Sequence, residues 1–236
     1  MRENIQEKPE SITNILMFDY DGTLTLENSV IPESTIRTLE EVKSRGLAIL
    51  GIVSGRDLSF LMRVNDSLSG VFSFLVAENG AVTYFKDTGE KFVKGLEWTR
   101  KAREVFADVD FPVRFSEVMA TTNRENAAKV MDNLRLSKLD AKLVPNRDSL
   151  IVLPPSVDKG TGVASAVEHY GSTKNIRLTC FGDGENDEAL FGSADVSVAV
   201  SNAVESLKKI ADVVVSRPGG YGVEEYLKKN VLMTRG

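Results

Sequence analysis

The chain has 236 residues, of which 42% are hydrophobic and 27% charged, with a formal net charge of -5. That length suits one or two domains with a real core, and the acidic balance argues against nonspecific binding to nucleic acid or to an anionic membrane. One cysteine, Cys180, excludes an internal disulfide, and no apolar run approaches the roughly 20 residues that a membrane helix needs.

Met1 to Asn14 is polar and mixed in charge, unlike a signal peptide, and with the single cysteine it suggests a cytoplasmic protein. From there, short apolar runs alternate with amphipathic segments of helix length, the signature of an α/β fold. Ile15–Phe18 reads as a buried strand and Glu33–Arg45 as a helix with Ile36, Leu39 and Val42 on one face. Leu47–Val53 is the next strand, Asp57–Leu68 the next helix and Phe74–Ala77 a third strand.

The rhythm changes in the middle. Ala81–Phe85 and Lys91–Val93 flank Lys86-Asp87-Thr88-Gly89-Glu90, a hairpin signal. A helix near Leu96–Phe106, a strand near Val113–Met119, a helix near Arg124–Leu136 and strands near Ala141–Val144 and Ser149–Leu153 follow, and Pro154-Pro155 marks the exit. The pattern predicts a small α+β insert over 84–154, with its own sheet and helices on one face, inside a core formed by 1–83 and 155–236. The core resumes with a helix over Lys159–Tyr170, a strand over Ile176–Phe181 and a short helix over Asn186–Phe191. Strands at Asp195–Val200 and Asp212–Val215 flank another helix, and a last helix covers Gly222–Lys229.

Three polar clusters each follow a predicted buried strand: Asp19-Tyr20-Asp21-Gly22-Thr23, Ser54-Gly55-Arg56, and Gly182-Asp183-Gly184-Glu185-Asn186-Asp187. Ligands of open parallel sheets bind beyond the carboxyl ends of the strands, so the three converge on one edge. Asp19 and Asp21 lie on one side of an extended strand end, where two carboxylates repel unless a cation or a proton relieves them. One can then act as nucleophile and the other as acid and base. Asp183 can complete an oxygen-rich Mg²⁺ site with Asp19. Asn186 can donate to a phosphate, Ser54 and Gly55 can hold an anion at a helix start, and Lys159 supplies a positive charge. Taken singly, each cluster also fits a solvated turn or a helix cap.

Together these residues resemble the haloacid dehalogenase superfamily of phosphohydrolases. Its four motifs are matched in order by Asp19-Tyr20-Asp21-Gly22-Thr23-Leu24-Thr25, Ile52-Val53-Ser54-Gly55-Arg56, Lys159-Gly160 and Gly182–Asp187. Asn79 within Ala77–Ala81, and Val198–Ala203, resemble the Cof-like, sucrose-phosphatase-like branch, whose cap lies between motifs two and three. The short cap and total length are most similar to the archaeal phosphoglycolate phosphatases of that branch. The resemblance implies a Rossmann-like parallel-sheet core, an aspartyl-phosphate on Asp19 and acid–base action by Asp21. It further implies Mg²⁺ on the Asp19 and Asp183 side chains and the Asp21 carbonyl, with Asp187 orienting metal-bound water. Ser54 and Lys159 would hold the phosphoryl group beside Asn186.

The implied substrate is a small phosphorylated metabolite, first of all 2-phosphoglycolate. Another sugar phosphate or phosphorylated acid is a rival; a phosphomutase and a non-enzymatic phospho-receiver module rank lower. Selectivity should come from the cap, with Arg114, Arg124 and Arg147 as candidate carboxylate clamps. Oligomeric state stays open, a homodimer included. Cys180 and Trp98 read as packing residues, and the lone His169 as structural.

Overall fold

The computed structural model describes residues 12–26, 30–146, 148–171 and 175–233. Arg147 and most of the polar start, Met1 to Ser11, lie outside the described residues.

Strand β1 (Thr13–Asp19) is buried from Ile15 onward on both faces, and such an unbroken apolar run suits the middle of a parallel sheet. It pairs with β2 (Ile49–Val53) on one side and β10 (Ile176–Gly182) on the other, both parallel. Beyond β2 lies β3 (Phe74–Ala77), and beyond β10 lie β11 (Val196–Ala199) and β12 (Val213–Val214). Phe18 and Phe181 are register partners whose rings stack at 4.7 Å. Such a pair is worth about 0.5–1.5 kcal/mol beyond its buried area, and a slip of one residue would separate it. Helices α1 (Glu33–Ser44), α2 (Leu58–Ser67), α5 (Lys159–His169), α6 (Glu188–Phe191), α7 (Glu205–Ile210) and α8 (Gly219–Leu227) complete this part.

The same sheet ends with β4 (Val82–Phe85) and β5 (Lys91–Val93), both antiparallel. The division expected at 84 falls within β4. The hairpin forms as predicted, but β4 pairs with β3, bringing Phe74 opposite Phe85 in the main core. The insert's own elements begin at α3 (Leu96–Val105) and end with β9 (Ser149–Leu153). Its sheet runs β6 (Arg114–Phe115), β7 (Ala120–Asn123), β9, β8 (Lys142–Asn146), and α4 (Ala127–Ser137) lies beside α3. The single strand expected over Val113–Met119 is thus a hairpin, β6 turning into β7, with Ser116 N–H donating to Met119 O at 3.0 Å.

Alternation along β9 shows how the insert sits. Leu150 and Val152 join Ala102, Phe106, Val130 and Leu134 in the insert's own core, so both helices cover one face as expected. Ile151 and Leu153 face the other way, into the main core. Trp98 packs on the insert's core and donates from Nε1 to Asp140 O. Among the described residues, no helix is long and apolar enough to cross a membrane.

Candidate active site

The chain leaves β1 to build β2 and β3 on one side and returns as β10, β11 and β12 on the other. The crevice at the carboxyl ends of β1 and β10 is therefore the switch point of the sheet, where open α/β folds bind ligands. Asp19 ends β1 and Asp183 follows β10 directly. Lys159 is the first residue of α5, whose Asp158 cap accepts from Thr161 N–H while Thr161 Oγ1 accepts from Asp158 N–H.

These side chains meet. Lys159 Nζ, 1% exposed, lies 2.6 Å from Asp19 Oδ1 and 2.6 Å from Asp187 Oδ1. Carboxylate oxygens of Asp19, Asp183 and Asp187 all fall within 4.8 Å of one another. Asp187 is fully engaged: its Oδ2 accepts from the Asp183 and Gly184 N–H groups, both at 3.0 Å, so it holds the Asp183 loop in place. Asp183 Oδ1 accepts from Thr23 Oγ1 at 2.8 Å.

Gly22 makes this crowding possible. Its φ is +89°, and a Cβ there would stand 2.2 Å from Asp183 Oδ2. The turn after β1 can press against the Asp183 carboxylate only without a side chain at that position. Asn202 supports it from outside, donating to Gly22 O at 2.9 Å.

Electrostatics follow from this packing. Burial pushes the Asp19 carboxyl well above the usual carboxylate range; Lys159 pulls it back, while Asp187 and Asp183 push it further up. Burial, then the Asp187 charge, raises Asp183 to about 6. Burial alone would lower Lys159, but Asp187 and Asp19 more than offset it and keep it a cation. One ammonium thus faces three carboxylates, a donor set of hard oxygens with a deficit of positive charge. Asp19 and Asp183 therefore fit a divalent cation, with Asp187 already committed to Lys159 and the backbone.

The other predicted residues divide. The Asp21 carboxylate is not among the clustered acids; both of its oxygens accept from Arg56, from Nε at 3.0 Å and Nη2 at 2.8 Å. Ser54 is buried, its Oγ accepting from Arg56 N–H at 3.1 Å. Ser54 and Gly55 lie just before α2, whose N-cap Asp57 accepts from Phe60 N–H. Asn186 and Lys159 line a cavity of about 630 Å³ with Asn79 and, from the insert, Arg124, Lys142 and Leu143. Arg114 is exposed on β6 and does not line it. Sequence reasoning missed Lys142, whose amine pairs with Asp158 at 2.8 Å, and used Asn79 only as a mark of resemblance. An apolar-flanked lysine on an insert strand was the only local signal for the former.

The molecule is a mainly parallel α/β core with an acidic site at the switch point of its sheet and an inserted α+β unit. The chain belongs to the haloacid dehalogenase-like hydrolase family, whose model matches residues 16–110 and 108–227. It is similar to phosphoglycolate phosphatase 2 of Saccharolobus solfataricus, 32% identical over 215 residues that cover 89% of each chain. Among solved structures, one from Thermoplasma acidophilum shares the fold with a TM-score of 0.79 at 19% identity, over 94% of this chain and 100% of that one. A sugar phosphatase of subclass IIB of the superfamily shares it at 0.73 and 20% identity, over 92% and 98%.

Proposed function

We propose that this hydrolase, a phosphatase by its kinship, is Mg²⁺-dependent and cleaves 2-phosphoglycolate to glycolate and phosphate. The observation that carries the reading is the contact of Lys159 with Asp19 at 2.6 Å beside a second, uncompensated carboxylate, Asp183, at the switch point of the sheet. In this reading Asp19 attacks phosphorus and carries the phosphoryl group. Asp21 protonates the leaving oxygen and then takes a proton from the attacking water. Lys159, Ser54, the Gly55 backbone and Asn186 bind phosphoryl oxygens. Mg²⁺, held by Asp19, Asp183 and the Asp21 carbonyl, would supply charge neutralisation for the phosphoryl oxygens. Asp187 keeps Lys159 and the Asp183 loop aligned, so positioning and charge carry most of the catalysis.

Two observations support the substrate. The relatives from Saccharolobus solfataricus and Methanopyrus kandleri bear the name phosphoglycolate phosphatase, the second at 30% identity over 92% of this chain. The insert also lends Arg124 and Lys142 to the cavity wall, cations suited to a substrate carboxylate. The insert is then a cap that sets selectivity. Phosphate release from 2-phosphoglycolate and a panel of sugar phosphates at equal concentration, with Mg²⁺ and with EDTA, tests the whole reading. A clear preference for 2-phosphoglycolate is expected; preference for a sugar phosphate would overturn the substrate, and turnover in EDTA the metal.

A further inference from the structure

Asn79 is 3% exposed, yet neither its Oδ1 nor its Nδ2 has a hydrogen-bond partner. Buried polar groups are nearly always paired, so an amide with both ends open asks for a ligand that completes it. The backbone is shaped to present it. Glu78 and Asn79 both adopt left-handed φ values, +51° and +54°, a conformation that asparagine tolerates and glutamate seldom takes.

That turn is held on three sides. The Glu78 carboxylate accepts from the N–H groups of Glu117, Val118 and Met119 at 2.8–2.9 Å. Asn79 N–H donates to Ser54 O at 2.9 Å. Gly80, at φ +102°, passes so close to the start of α5 that a Cβ would lie 2.0 Å from Asp158 O. Locked in this way, the Asn79 amide lines the cavity shared with Lys159 and Asn186 and lies against Gly55, where a Cβ would stand 3.2 Å from Nδ2.

We infer that the Asn79 carboxamide is a phosphoryl-binding group, its Nδ2 donating to a phosphoryl oxygen of the substrate and of product orthophosphate. This rests on the phosphatase reading and adds a residue to it. The juxtaposition with Gly55 and Lys159 assigns Asn79 to the phosphoryl end of the cavity, whereas Arg124 and Lys142 are contributed by the insert.

The test is calorimetric titration of inorganic phosphate, with MgCl₂ present, into the wild-type chain, Asn79→Gly and Asn79→Asp, with thermal melts of each. Glycine suits the left-handed backbone, so Asn79→Gly deletes the amide without strain. The expected result is phosphate affinity about tenfold weaker in Asn79→Gly and weaker still in Asn79→Asp, whose charge repels the ligand, with the melting temperature of Asn79→Gly unchanged. Unchanged phosphate affinity in Asn79→Gly would overturn the assignment, as would a rise in KM for substrate with phosphate binding intact. A wild-type chain that binds no phosphate would also overturn it. The readout needs no turnover, so a chain that binds phosphate through Asn79 yet hydrolyses nothing would defeat only the phosphatase reading.

Discussion

Arg56 grips Asp21 with two near-parallel hydrogen bonds, Nε to one carboxylate oxygen and Nη2 to the other. The guanidinium also sits 4.9 Å above the Phe60 ring, which meets Tyr20 edge-on at 5.3 Å. The start of α2 and the turn after β1 thus brace one another through Asp21. In the proposed mechanism Arg56 is a positioning residue that aims the acid.

The first prediction separates that role from stability. Both partners are substantially exposed, so the pair is worth at most about 1 kcal/mol to folding. Arg56→Ala should melt close to wild type while kcat falls about 10- to 100-fold, since misplacing a reacting group is costly. Arg56→Lys should fail to restore it, because an ammonium cannot form the two-point grip. Steady-state kinetics and melts on both variants decide; full activity in either would remove the role.

Lys159 yields the opposite pattern. It is buried against two carboxylates, and deleting one partner of such a cluster costs about 3–5 kcal/mol. Lys159→Met should lose that much stability as well as activity. Asp19, raised by burial and deprived of the cation that pulls it back, would stand still further above its unfolded pKa, so its penalty vanishes below the unfolded value and grows as pH rises toward the native one. The deficit should accordingly shrink in acid. Chemical denaturation at about pH 8 and about pH 5 measures it, and a deficit independent of pH would contradict the charge argument.

The site was legible in the sequence because buried parallel strands read as apolar runs, and whatever follows them lands on one sheet edge. Asp19 and Asp183 are read in that way, whereas Lys159 opens a helix and enters the site through the family resemblance. Relationships without a local signature were not. The Val82–Phe85 strand alternates equally well in either sheet, and only its pairing with Phe74–Ala77 assigns it to the large one. The break at Ser116–Met119 is set by Glu78, about 40 residues away in sequence. The open Asn79 amide and the Arg56 grip likewise depend on partners brought in by the fold.

Metal binding should carry the mark of the raised Asp183 acid. For this group the native pKa of about 6 exceeds the unfolded value near 3.8. Its contribution to the metal-free fold is complete below the unfolded value and is lost as pH rises through about 6. A cation that replaces the proton restores it above that point. Added Mg²⁺ should therefore raise the melting temperature at about pH 8 and much less at about pH 5, with EDTA as the baseline. Equal shifts at both would mean the ion binds elsewhere.

Gly22→Ala tests the close approach directly. The new methyl would meet Asp183 Oδ2 at 2.2 Å, and φ +89° is strained for alanine. The expected cost is about 1–3 kcal/mol, with the Asp183 carboxylate displaced. Because Asp183 is a proposed ligand, the Mg²⁺-dependent rise in melting temperature should disappear in the same variant. A variant that melts lower but keeps the full Mg²⁺ response would show that Gly22 serves the fold alone.

The Glu78 carboxylate joins the two parts of the molecule. It is 1% exposed and receives three backbone N–H groups from the β6–β7 turn, while Lys91 pairs with Glu117 next to it at 2.8 Å. Each donor left buried without a partner costs about 1–3 kcal/mol. Glu78→Gln keeps the shape but turns an NH₂ toward one or more of those donors, so it should destabilise nearly as much as Glu78→Ala. The effect should be local first: amide hydrogens of residues 117–119 exchange faster in both variants, while those of the central strands, β1 and β10, slow or quicken only with global stability. Hydrogen exchange read by mass spectrometry resolves the two regions. Turn amides exchanging at the wild-type rate in Glu78→Ala would show that the insert is seated by its apolar contacts, Val118 and Ile151 among them, and not by this carboxylate.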